Sequence, residues 1–172
     1  MGRRRARAGS AAAALTLIFL LAGCTQSRSS AAVGKPAPAV SGKDLSGKGV
    51  QLSQLKGSPV LMNFWASWCV PCKGEFPVLQ KGLSDHPDLK VLGVVFDDSA
   101  ASARKFATDQ HASWPSLTDP SGKIASAFHV AQKPGIPVSV LIGPDGVVRG
   151  THLGPFSNAG ELDQFLATPS GR

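Results

Sequence analysis

Cys69 and Cys72 stand three positions apart in Phe64-Trp65-Ala66-Ser67-Trp68-Cys69-Val70-Pro71-Cys72-Lys73. Two thiols at that spacing can cycle between dithiol and disulfide. The run before them, residues 59–65, is apolar and reads as a buried strand. After them Phe76, Val78, Leu79 and Leu83 recur at helical spacing. Strand, Cys-x-x-Cys, helix is the setting in which this motif means redox chemistry. A cysteine at a helix N-terminus meets unpaired N–H groups and the positive end of the helix dipole, and both favour thiolate. Such thiols titrate at roughly 3.5–7.5 against about 8.5 for a free cysteine. The thiolate is the nucleophile of thiol–disulfide exchange. Cys69 is expected to be the exposed attacker and Cys72, one turn on and more buried, the resolving thiol. Pro71 falls in the first helical turn, where a missing N–H costs least.

A structural zinc site needs about four ligands. Beyond the pair the chain offers Cys24, His86, His111, His129 and His152, none at ligand spacing from another. Neither a metal nor a cofactor is expected.

The elements around the motif alternate. Val40 and residues 50–52 suggest a short hairpin, with Ser53 capping a turn around Leu55. Residues 89–96 form a second buried strand, and Asp97-Asp98-Ser99 ends it and caps a helix over 100–110 that turns Ala103, Phe106 and Ala107 to one side. A short extended piece at 114–117 and a short helix at 122–128 follow. Residues 137–142 and 147–153 are paired strands around the turn 143–146. Ser157 or Asn158 caps a last helix carrying Leu162, Phe165 and Leu166. This order predicts an α/β domain, a central sheet with helices on both faces.

Residues 1–23 are expected to stay outside that domain. Arg3, Arg4, Arg5 and Arg7 precede an apolar run over 11–22 broken only by Thr16, which has the form of a secretory signal. The run closes on Leu21-Ala22-Gly23-Cys24, which resembles the bacterial lipoprotein signal and implies lipidation of Cys24. Lipid chains at about 0.8 kcal/mol per buried CH₂ would hold the protein on a membrane face. The expected organisation is a signal peptide at 1–23, a Ser/Ala-rich flexible tether at 24–35, one domain at 36–167 and a tail at 168–172. The formal charge of +7 includes the four signal arginines, so the remainder carries +3. With no basic stripe interleaved with aromatics, nucleic acid is not an expected partner.

Two stretches carry a family resemblance: Asn63 through Pro77 around the cysteines, and Gly135-Ile136-Pro137-Val138-Ser139-Val140-Leu141-Ile142 followed by Asp145-Gly146. Over about residues 34–166 the chain resembles the TlpA/ResA-like membrane-tethered thiol–disulfide oxidoreductases of thioredoxin fold. The resemblance implies a mixed sheet flanked by helices, an N-terminal β-hairpin and a central αβ insertion. It implies that Ile136–Pro137 is cis and packs on the cysteine pair, with Trp68, Val70, Pro71, Ile136 and Pro137 meeting the substrate. Glu75 stands where the family often has a functional acid. It would exchange protons with Cys72 or tune it, or else be an exposed first-turn glutamate favourable to the helix dipole. Asn63 replaces the buried acid of plain thioredoxins. Trp65 and Trp68 either shape an apolar rim or belong to the core.

The function implied is reduction of disulfides in exported proteins, for example the haem-binding cysteines of c-type apocytochromes. A membrane thiol–disulfide donor would reset the pair, and the protein would be a lipid-anchored monomer on the outer face of the cell membrane. A disulfide-forming oxidant is the first alternative, since Val70-Pro71 does not settle direction. A thiol peroxidase of the related peroxiredoxin type would need Pro-x-x-x-Thr/Ser-x-x-Cys, where this chain has Met62 and Ala66. A copper chaperone would use two thiolates suited to Cu(I), but such proteins of this fold place three residues between their cysteines, not two.

Overall fold

The computed structural model describes residues 31–130 and 135–168. The signal-like run, Cys24 and residues 169–172 lie outside the described residues. Among those described, no helix is long and apolar enough to cross a membrane.

β3 (Val60–Trp65) is the central strand and is buried along its whole length. It pairs in parallel with β4 (Lys90–Val95) on one side and antiparallel with β6 (Val138–Ile142) on the other. β5 (Ser116–Thr118) adds in parallel beyond β4, and β7 (Val148–Leu153) antiparallel beyond β6. The sheet therefore runs β5-β4-β3-β6-β7 and is mixed, as expected. Strands buried on both faces read as continuous apolar runs, and β3, β4 and β6 are such runs.

Alternate residues of β3 feed two cores. Val60, Met62 and Phe64 pack with Phe128, Val138 and Val140 on one face. Leu61 and Trp65 pack with Phe76, Leu79, Phe156 and Leu162 on the other. The second face is covered by α1 (Val70–Asp85), α2 (Ala100–Asp109) and α4 (Ala159–Leu166), while α3 (Lys123–Ala127) lies on the first. Between β4 and α3, α2 and β5 form the central insertion. β1 (Ser41–Lys43) and β2 (Gly49–Gln51) make the N-terminal hairpin.

Local chemistry sets the helix starts. Ser99 Oγ accepts from Ser102 N, and Asn158 Oδ1 from Glu161 N at 3.0 Å, so of the two candidate caps of the last helix the asparagine serves. The Ser53 cap is not formed. A 3-10 turn spans Leu52–Leu55 with Gln51 before it and no side-chain cap, because buried Leu52 anchors the turn and its own N–H bonds Val40 O. At Gly93 the chain has no room for a side chain, since a Cβ there would lie 2.1 Å from Ser116 Oγ and 2.8 Å from Trp65 Nε1.

Candidate active site

β3 ends at Trp65, and the chain turns through Ala66, Ser67 and Trp68 into the first turn of α1. Ser67 N–H donates to Asp98 Oδ2 at 2.7 Å and Trp68 Nε1–H to Asp97 O at 3.0 Å. Both bonds tie the motif loop to the β4–α2 loop, where Asp97 adopts a left-handed φ of 46°. The aspartates expected to end a strand and help cap the next helix thus also hold the redox loop. Cys69 is the N-cap of α1, with extended backbone, and its Sγ accepts from Cys72 N–H at 3.2 Å. A sulfur in that position is stabilised most when it is a thiolate.

Cys69 and Cys72 are joined in a disulfide, with Cα atoms 5.3 Å apart. Cys69 is 3% exposed and Cys72 fully buried. The expected contrast between an exposed attacker and a buried partner is therefore small in the oxidised state, because the Ile136 carbonyl comes within 3.7 Å of Cys69 Sγ. The Ile136–Pro137 bond is cis, and Pro137 is buried against the start of β6. Around the pair Trp68 is 56% and Val70 81% exposed, and Pro71 is also exposed. Trp65, by contrast, is core: fully buried, edge-on to Phe76 and stacked with Phe106.

Glu75 is not an exposed first-turn glutamate. It is fully buried, one turn beyond Cys72 on the face of α1 turned to the sheet. Asn63 Nδ2 donates to its Oε2 at 3.0 Å and Phe156 N–H to its Oε1 at 3.3 Å. Burial outweighs both bonds and pushes its pKa up from 4.5 to about 7. The same Asn63 nitrogen donates to Ser139 Oγ at 3.0 Å, and Asn63 Oδ1 is buried with no partner. The structure thus gathers Cys69, Cys72, Glu75, Ile136 and Pro137, with Trp68, Val70 and Pro71 on the rim.

Ser139 and Phe156 were absent from the sequence-based site. Ser139 had a signal, a lone hydroxyl in an otherwise aliphatic buried strand. Phe156 acts through its backbone and had none. Among the described residues no group of three or more His, Cys, Asp or Glu could hold a metal.

The arrangement supplies a nucleophilic sulfur at a helix N-terminus, a second sulfur within bonding reach, a backbone carbonyl beside the first and a buried acid near the second. That is what thiol–disulfide exchange needs.

Residues 33–151 match the AhpC/TSA family. The chain is 34% identical to the thioredoxin-like protein YneN of Bacillus subtilis, over 77% of this chain and 78% of that protein. It is 32% identical to the thiol-disulfide oxidoreductase ResA of the same organism, over 69% and 68% of the two chains. The thioredoxin domain of a Bacteroides vulgatus thiol-disulfide oxidoreductase superposes with a TM-score of 0.67 at 26% identity, covering 80% of this chain and 99% of that one.

Proposed function

The chain belongs to the thioredoxin-like AhpC/TSA family, as a thiol–disulfide oxidoreductase of the TlpA/ResA-like group, and from that premise we propose that it works as a reductase of disulfides in exported proteins. The observation that carries this reading is the capped Cys69 sulfur, set beside the Ile136 carbonyl and the cis Pro137 under an exposed apolar rim.

In the reducing direction the Cys69 thiolate attacks one sulfur of a substrate disulfide. A mixed disulfide forms, the substrate S–S bond breaks and one substrate thiolate leaves. Cys72 then gives up its proton and attacks Cys69 Sγ. The Cys69–Cys72 bond forms and the second substrate sulfur departs as a thiolate. The substrate has gained the two electrons that the cysteine pair has lost, and its two thiolates take up protons from solvent. Glu75, poised near neutrality by burial, takes the Cys72 proton in this scheme. Trp68, Val70 and Pro71 on one side and Ile136-Pro137 on the other hold the substrate chain.

The lipoprotein-like run ending at Cys24 supports an anchored protein on the outer face of the membrane, recharged by a membrane thiol donor. Reduced haem-binding cysteines of c-type apocytochromes are one substrate class this suits. Ala66, three residues before Cys69, is buried and has no hydroxyl to activate a peroxide, so the site lends no support to the peroxidase alternative.

Cys72→Ser tests the scheme. The reduced variant mixed with a disulfide-bonded protein should accumulate a mixed disulfide through Cys69, visible by mass spectrometry and released by dithiothreitol. Cys69→Ser should form none. Equal adduct with either variant would refute the assignment of attacker and resolver.

A further inference from the structure

A polar row crosses the sheet from the active site towards solvent. Asn63 on β3 lies opposite Ser139 on β6, and Ser139 opposite His152 on β7. Directly opposed residues share a sheet face, so all three are on the face that α1 and α4 cover. Asn63 binds both Ser139 and Glu75. At the other end the His152 ring lies flat on Phe156, with centroids 4.1 Å apart and planes at 13°. The Phe156 N–H in turn donates to Glu75. His152 Nε2 is buried without a hydrogen-bond partner and faces Glu161 Oε1 at 3.6 Å. Glu161 is 37% exposed. Glu75 and Glu161 are the two glutamates of the chain, and both meet this one cluster.

We propose that His152 and Glu161 are positioning residues that set how tightly the buried Glu75 holds its proton, and through it the pH range in which the cysteine pair exchanges. The inference rests on Glu75 serving Cys72 as described above. Its physical basis is charge. The negative Glu161 opposes ionisation of Glu75. An imidazole changes charge between about pH 5 and 8. Protonated, His152 becomes a donor to Glu161, closes the gap between them and cancels the field that Glu161 casts on Glu75. Neutral, it leaves that field unopposed, and Glu75 keeps its proton longer. The other groups around Glu75 are Cys72 on α1, Asn63 on β3 and Ser139 on β6. On α4, Asp163 is paired with His86 at 2.8 Å.

Glu161 also has a helix-capping role, since its Oε2 accepts from Ser157 N–H at 2.7 Å. Glutamine keeps that bond, so Glu161→Gln removes the charge and spares the cap. His152→Phe keeps the stack on Phe156 and removes the ring nitrogen that faces Glu161.

The test is carbon-13 NMR of the full oxidised chain labelled at the glutamate carboxyl, which gives two signals to follow from pH 4 to 9. Glu75→Gln identifies them. Glu161→Gln should lower the Glu75 midpoint by roughly half a unit, and His152→Phe should raise it by a few tenths. Opposite displacements are the mark of charge, which a merely structural role would not produce. Displacements in the same direction, or none, overturn the proposal while the Glu75 reading stands. A wild-type Glu75 midpoint near the ordinary 4.5 overturns both, and the Cys72→Ser adduct scores the exchange mechanism separately.

Discussion

Replacing Glu75 with glutamine should make the oxidised protein more stable in alkaline solution than the wild type, and no more so in acid. The folded chain holds the Glu75 proton up to about pH 7, and the unfolded chain releases it near 4.5. Between those values the folded state binds the extra proton, so wild-type stability falls as pH rises through that window. Above it both states are ionised, and the fold carries a buried carboxylate held by two neutral donors. At 1.36 kcal/mol per unit the displacement is worth about 3 kcal/mol, a large part of the ~5–15 kcal/mol that holds a domain together. Glutamine fills the same space and has no proton to lose. Urea unfolding of both proteins from pH 4 to pH 8 gives a difference curve in which the titrating groups that do not interact with Glu75 cancel. The variant should gain about 3 kcal/mol on the wild type between the two ends, while its exchange rate with a protein disulfide falls. A flat difference curve, or one that tilts the other way, would refute the claim that burial sets the proton affinity of Glu75.

Gly93→Ala should destabilise the protein by about 2 kcal/mol in the same unfolding assay, because its Cβ collides with Ser116 Oγ and Trp65 Nε1. Ser116→Gly in the same chain should recover part of that loss. Trp68→Ala should change stability by less than about 1 kcal/mol, since the ring is exposed and makes one bond to Asp97 O. Its effect should fall instead on KM for a folded protein substrate.

The elements were legible where a local pattern dictated them. The apolar runs of β3 and β4, the Ser99 cap and the Gly-Pro-Asp-Gly turn each carry their signal within a few residues, and each element lies within a residue or two of its expected place. The cysteine pair was legible because its chemistry is written in spacing. Glu75 was not settled by sequence, because a glutamate near the start of a helix is ordinarily solvated. What buries it is the arrival of Phe156 from a loop more than eighty residues on, together with Asn63 from the strand below. The polar row through Ser139 and His152 depends on the register of three strands; the turn can fix that of the β6–β7 hairpin, but Asn63 and Ser139 are 76 residues apart and no local pattern encodes their pairing. Ser53 failed as a cap for a related reason, since long-range bonding of Leu52 to Val40 fixed that turn first.

The reduction potential of the Cys69–Cys72 pair, measured in the full chain by equilibration with thiol redox buffers, bears most directly on the proposed direction of electron flow. A reductase needs a reactive dithiol that gives up its electrons, so the expected value is about −270 mV, where thioredoxin lies. A value near about −120 mV would mean a stable dithiol and a strong oxidant. That result would contradict the reductase reading and assign the same site to forming disulfides in exported proteins.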